Sequence, residues 1–242
     1  MNKRKIVNEP ISNIVVDGLS RYTKEKILKI IPFKVGTILT STKIDKIIQE
    51  LFETGYFSDI SIVKSDNTLK IKVKENPIIE SINIEGAYIL TEDKLLRLLD
   101  YKNLNPYNDK LLSEVTGLIT NTYFDLGYLD FKILEIQSDL NKSRNKISIT
   151  IIISEGTQYT LRKISFSGGL DVIAEDKLRM LLSIKEGNIF NSSQIRIYIQ
   201  TLTEEYANIG YAYIDITPIT DEILEKINID FEINSRYIYI YK

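Results

Sequence analysis

Leu51-Phe52-Glu53-Thr54-Gly55-Tyr56-Phe57 ends an apolar helical pattern and opens an extended one. The same turn returns as Tyr123-Phe124-Asp125-Leu126-Gly127-Tyr128-Leu129 and again as Tyr206-Ala207-Asn208-Ile209-Gly210-Tyr211-Ala212. Glycine stops a helix by taking the left-handed conformation that other residues avoid. Three copies of one helix stop identify an array of a single small unit.

Working outward from the first copy, Ile44, Ile47, Ile48, Leu51 and Phe52 recur at helical spacing, with Ser41 or Thr42 as the cap. Upstream, Thr23 opens a shorter pattern of Ile27, Leu28, Ile30 and Ile31, and Ile11 to Asp17 is extended and closed by Gly18. Downstream, Ile60 and Ile62 alternate, then Leu69, Ile71 and Val73, with Ser65-Asp66-Asn67 as the turn. The unit reads β-α-α-β-β. A second copy runs from Ile78, with Thr91 and Asp109 as caps and strands at Leu129–Ile136 and Ile147–Ile153. A third runs from Tyr159, with a helix over Val172–Ser183, a second capped by Asn191 or Ser192, and strands at Tyr211–Pro218 and Lys226–Ile233. The glycines that close the first strands, Gly18, Gly86 and Gly168, lie 68 and then 82 residues apart. The fold class is therefore α+β: tandem β-α-α-β-β repeats, each a three-stranded mixed sheet covered by two helices.

The repeats are expected at 9–75, 77–155 and 157–234. Glu75-Asn76-Pro77 and Glu155-Gly156-Thr157 read as short linkers and as hinges of a semi-rigid string. Glu75 and Glu155 read as linker residues, not as paired acids. Arg236 to Tyr241 alternates as a first strand does, so 235–242 reads as the start of a fourth, truncated unit.

Composition excludes several chemistries. Without cysteine or histidine there is no thiolate or imidazole metal site and no histidine-based triad. The 31 basic and 33 acidic residues leave no basic excess for a phosphate backbone, so no nucleic-acid partner is expected, and Lys3-Arg4-Lys5 reads as a solvated terminus. A KH module shares the β-α-α-β topology but needs a GxxG loop between its helices. Residues 32–36, 103–108 and 185–188 contain none. No catalytic residue, cofactor or metal is expected. No apolar run reaches the about 20 residues of a membrane helix, and no secretory signal is visible at the N-terminus.

These repeats resemble the POTRA (polypeptide-transport-associated) domain. The stretches Leu51 to Ile60, Leu69 to Pro77 and Ile82 to Gly86 resemble in detail the POTRA region of the BamA family of outer-membrane protein assembly factors. Glu155 to Tyr159, through Ser167-Gly168, and Tyr206 to Tyr213 are similar to later repeats of that family. The pattern departs in Gly86-Ala87 and Gly168-Gly169, and in the count of three units where five precede a barrel in bacterial members. The resemblance implies a periplasmic location at the outer membrane within a larger protein carrying a C-terminal β-barrel. Its implied partners are unfolded outer-membrane protein segments and accessory lipoproteins. A POTRA region of another transporter, TamA-like or of two-partner secretion, stays open.

A three-stranded sheet has two edges with unpaired backbone groups, and an extended segment can add there whatever its sequence. The resemblance makes the second strand of each unit an edge. Pro218 agrees, since proline within sheets is confined largely to edges and bulges. The candidate partner-binding residues are Ile60, Ser61, Ile62 and Val63 in the first repeat, Leu129, Phe131 and Ile133 in the second, and Tyr213, Asp215 and Thr217 in the third.

Overall fold

A computed structural model describes residues 9–99, 106–143, 145–211 and 213–236. Tyr237, Tyr239 and Tyr241, the Lys3-Arg4-Lys5 cluster and the expected break at 103–105 lie outside the described residues.

The elements run β1 (Asn13–Asp17), α1 (Lys24–Ile30), α2 (Ser41–Glu53), β2 (Phe57–Ser65), β3 (Thr68–Glu75), β4 (Ile78–Glu85), α3 (Glu92–Leu98), α4 (Asp109–Asp125), β5 (Lys132–Leu140), β6 (Lys146–Ser154), β7 (Thr160–Ser167), α5 (Glu175–Leu181), α6 (Ser192–Asn208), β8 (Tyr213–Ile223) and β9 (Lys226–Arg236). The β-α-α-β-β order thus occurs three times. Three mixed three-stranded sheets result, with strand orders β1-β3-β2, β4-β6-β5 and β7-β9-β8. By packing the chain falls into two compact units. One holds the residues through Asn83 with Leu96–Glu114 and Gln137–Thr150; the other holds Ile84–Leu95, Val115–Ile136 and the residues from Ile151 on.

In the first unit, β1 runs parallel to β3 and β2 antiparallel to it, with a bulge between Phe57 and Asp59. The alternation of Leu69, Ile71 and Val73 turns all three inward, where they pack with Ile14, Ile27, Ile47 and Leu51. Thr40, one residue earlier than expected, caps α2: its hydroxyl accepts the Lys43 N–H at 3.3 Å. Asn108 caps α4 through its Oδ1, which accepts the Leu111 N–H at 2.9 Å, ahead of the expected Asp109.

In the second unit, β7 runs parallel and β8 antiparallel to β9 around Leu161, Ile164, Leu178, Tyr198, Leu202, Ile229 and Phe231. The helix expected over Val172–Ser183 is shorter, Glu175–Leu181. The final hairpin is longer than expected. Two non-glycine residues, Leu224 (φ 50°) and Glu225 (φ 59°), form its turn, and β9 continues through Asn234, Ser235 and Arg236, paired with Asp215, Ile214 and Tyr213. Those three residues therefore close the third repeat's sheet, and Pro218 sits in the middle of β8 opposite Phe231.

Candidate partner-binding edges

The central strand of each sheet is the third of its repeat, which leaves β2, β5 and β8 at edges, together with β1, β4 and β7. The arrangement follows from the hairpin: the second strand folds back on the third, and the first strand takes the third's other side.

In the first repeat Ile60, Ser61, Ile62 and Val63 all lie in β2. Ser65 and Thr68 flank a two-residue turn, so they form a hydrogen-bonded pair. Backbone groups alternate from there. Those of Ser65, Val63 and Ser61 face β3, and those of Lys64, Ile62 and Ile60 face the open edge. Side chains alternate too: Ile60 is buried in the core and Val63 is 56% exposed on the opposite face.

In the second repeat the structure moves the edge. β5 opens at Lys132, so Ile133 lies in it while Leu129 and Phe131 precede it. Both belong to a turn in which the Phe131 N–H donates to the Tyr128 carbonyl at 3.3 Å. Phe131 is buried, its ring stacked on Tyr123 with centroids 4.4 Å apart. The turn at Tyr128, not the burial of its ring, keeps Phe131 out of the ladder. Leu134 and Ile136, within the expected strand, stand 62% and 38% exposed along β5.

In the third repeat Tyr213, Asp215 and Thr217 all lie in β8 with exposed side chains. Glu222, near its far end, is tied down: the Tyr159 hydroxyl lies 2.8 Å from its Oε1 and 2.9 Å from Asp130 Oδ2. Hydrogen bonding to these two carboxylates raises the Tyr159 pKa.

The repeated Gly-Tyr turns hold this scaffold. Gly55, Gly127 and Gly210 all have positive φ, at 69°, 84° and 100°. Tyr128 and Tyr211 pack edge-on against Tyr123 and Tyr206, at 6.0 and 6.2 Å. Leu51 occupies the matching position in the first repeat, and there Tyr56 stacks on Tyr22 at 4.3 Å, with Lys26 Nζ 4.3 Å from its ring.

Glu75 and Glu155, read above as linker residues, are anchors. Glu75 accepts N–H bonds from Ser20 (2.8 Å), Arg21 (3.0 Å) and Tyr22 (3.2 Å) and pairs with Arg21 Nε at 3.0 Å. Burial pushes its carboxyl upward, but these donors outweigh burial and hold the pKa below the ordinary value. Glu155 accepts from the Tyr88 and Ile89 N–H groups and the Tyr123 hydroxyl. Asn76 is also held: its amide donates to the Gly55 carbonyl at 2.8 Å and its backbone N–H to Tyr56 at 2.9 Å. Only the position of each glutamate, two residues past the strand residue facing Gly18 or Gly86, hints at this role in sequence. The matching residue of the third repeat is Ser235, and there the Tyr206 hydroxyl donates instead to the Gly169 carbonyl at 3.0 Å.

Among the described residues no group of three or more acidic side chains is placed to hold a metal ion. No described helix is long and apolar enough to cross a membrane.

The sequence matches POTRA, described as "Surface antigen variable number repeat", over residues 10–76, 77–156 and 159–236. The chain belongs to the POTRA family. It is 26% identical over 238 residues to the outer membrane protein assembly factor BamA of Buchnera aphidicola, covering 92% of this chain and 38% of that protein. It is 30% identical over 213 residues to BamA of Neisseria meningitidis serogroup B, covering 83% of this chain and 26% of that protein. The chain thus spans well under half the length of these relatives. BamA from Haemophilus ducreyi lacking POTRA domains 1–3 shares the fold with a TM-score of 0.54 at 23% identity, over 65% of this chain and 29% of that one.

Proposed function

We propose that this POTRA chain serves outer-membrane protein assembly from the periplasmic side, as part of a larger protein with a C-terminal β-barrel. The edges of β2, β5 and β8 hold extended segments of unfolded outer-membrane proteins by strand addition, and accessory lipoproteins are further partners. The observation that carries this reading is the strand order, which puts the second strand of every repeat at a sheet edge. Each added backbone hydrogen bond contributes about 0.5–1.5 kcal/mol net, so one edge binds weakly and releases readily. Several edges on one chain raise overall avidity without making any contact permanent. Such binding tolerates sequence, since the backbone supplies it. Similarity to BamA over most of the chain supports the biological setting.

The test is an NMR titration of the chain with peptides from outer-membrane β-strands. The expected result is weak, mutually competitive binding that moves the outward amides of Ile60, Ile62 and Lys64. If no edge-strand amide moves, strand addition is not the mechanism.

A further inference from the structure

The three edges are not equivalent, and one residue makes the difference. The β8–β9 ladder runs unbroken from Tyr213–Arg236 to Ile223–Lys226, with Pro218 opposite Phe231. Leu224 and Glu225 both have positive φ, which makes their turn type I′ and bonds the Ile223 carbonyl to the Lys226 N–H. Counting back from that closing pair, Ile223, Asp221, Ile219, Thr217, Asp215 and Tyr213 direct their backbone groups at β9. Ile214, Ile216, Pro218, Thr220 and Glu222 direct theirs at the open edge. Proline agrees independently, because it has no N–H to give and an unbroken ladder requires donors on its inner side.

Pro218 therefore stands in the centre of the outward row, where its ring replaces a donor. The row becomes two separate pairs, Ile214 with Ile216 and Thr220 with Glu222. The gap between Ile216 and Thr220 is about 14 Å along the strand. β2 differs: Ile60, Ile62 and Lys64 are consecutive outward donors, and Phe57–Ser65 contains no proline.

We propose that Pro218 is the register-limiting residue of the third POTRA edge. It confines an added extended peptide to one half of β8, while β2 accepts a continuous one. This rests on the strand-addition reading above and adds a rank order to it. One donor fewer makes either half of β8 about fivefold weaker than β2 for the same peptide.

The test uses the full chain and a blocked nine-residue peptide of alternating threonine and tyrosine, followed by amide NMR. In the wild-type chain Ile60, Ile62 and Lys64 shift on one isotherm, and Ile216 and Thr220 do not share one. In Pro218→Val the amides at 214, 216, 218, 220 and 222 shift together, and β8 binds at least about fivefold tighter. Pro218 is exposed, so the substitution leaves the core intact, and Pro218→Ala serves as the second variant. The proposal is overturned if the wild-type amides on both sides of Pro218 move on a single isotherm. It is equally overturned if neither variant changes binding at β8. A silent β2 with a responsive β8 in Pro218→Val sinks strand addition at β2 and leaves the role of Pro218 standing. A responsive β2 with no effect of either variant sinks the role of Pro218 alone.

Discussion

The Tyr123 hydroxyl donates to Glu155 Oε1 at 2.8 Å, and that same oxygen accepts the N–H groups of Tyr88 at 2.9 Å and Ile89 at 2.8 Å. One carboxylate oxygen at the end of β6 thus gathers α4 and the loop after β4. Removing the acceptor strands three donors, whereas removing the hydroxyl leaves only the Leu90 N–H without that oxygen. Glu155→Ala should therefore cost about 2–4 kcal/mol and Tyr123→Phe about 1 kcal/mol. Hydrogen exchange of the Tyr88 and Ile89 amides checks the order. Equal effects of the two variants would show that the hydroxyl alone carries the contact.

Glu75 makes the first repeat sensitive to acid. Its folded pKa lies below the ordinary 4.5, against the upward push of burial, because Ser20, Tyr22 and Arg21 all donate to it. A depressed carboxyl pKa stabilises the fold fully above the unfolded value. That contribution is lost as pH falls from about 4.5 through the lower folded pKa. The side chain is 7% exposed, so its hydrogen bonds are little screened. Glu75→Gln should cost about 1–2 kcal/mol at neutral pH. The gap between variant and wild type should close toward pH 3 in denaturant titrations. A gap that persists unchanged in acid would mean that the charge contributes nothing.

What the sequence made legible were the features with local causes. The glycine stops, the helix faces ending in Leu51, Tyr123 and Tyr206, and the alternation of Leu69, Ile71 and Val73 are all set by neighbours a few residues away. The edge position of β2 and β8 comes from the family resemblance, with Pro218 in agreement, and the strand order bears it out. The rest depends on distant partners. Phe131 reads as a strand residue, but it falls in the turn at Tyr128, which is pinned from far along the chain by the Tyr159 N–H bonded to the Gly127 carbonyl. The length of β8 is hidden because Leu224-Glu225 forms a turn that its residue types do not advertise. Glu75 reads as linker because its donors come from Ser20, Arg21 and Tyr22, far back in the chain.

Alkali should attack the same scaffold through its tyrosines. Burial raises the pKa of Tyr198 and of Tyr206, and burial with the Glu155 hydrogen bond raises that of Tyr123. A raised pKa means that the unfolded chain ionises first. Stability is therefore intact below about pH 10 and falls as pH rises from there toward the higher folded values. Ultraviolet titration should show Tyr123, Tyr198 and Tyr206 ionising only as structure is lost. Ionisation of all tyrosines in one step near pH 10, with the fold retained, would contradict this.

Gly18 and Gly36 separate backbone conformation from close approach within one repeat. Their φ angles are nearly equal, 92° and 94°. A Cβ on Gly36 meets nothing within 4 Å, whereas one on Gly18 would lie 2.0 Å from the Val73 carbonyl oxygen. Gly36→Ala should therefore cost only the left-handed penalty, about 1–2 kcal/mol. Gly18→Ala adds a clash with backbone that cannot rotate away, and its cost should exceed about 4 kcal/mol, in the range reserved for severe lesions. The same approach recurs at Gly86 against Ile153, at 2.3 Å, and at Gly168 against Ile233, at 2.4 Å. Those positions should behave like Gly18. Thermal melts of Gly18→Ala and Gly36→Ala decide the matter, because conformation alone predicts equal loss and close approach predicts that Gly18→Ala loses far more.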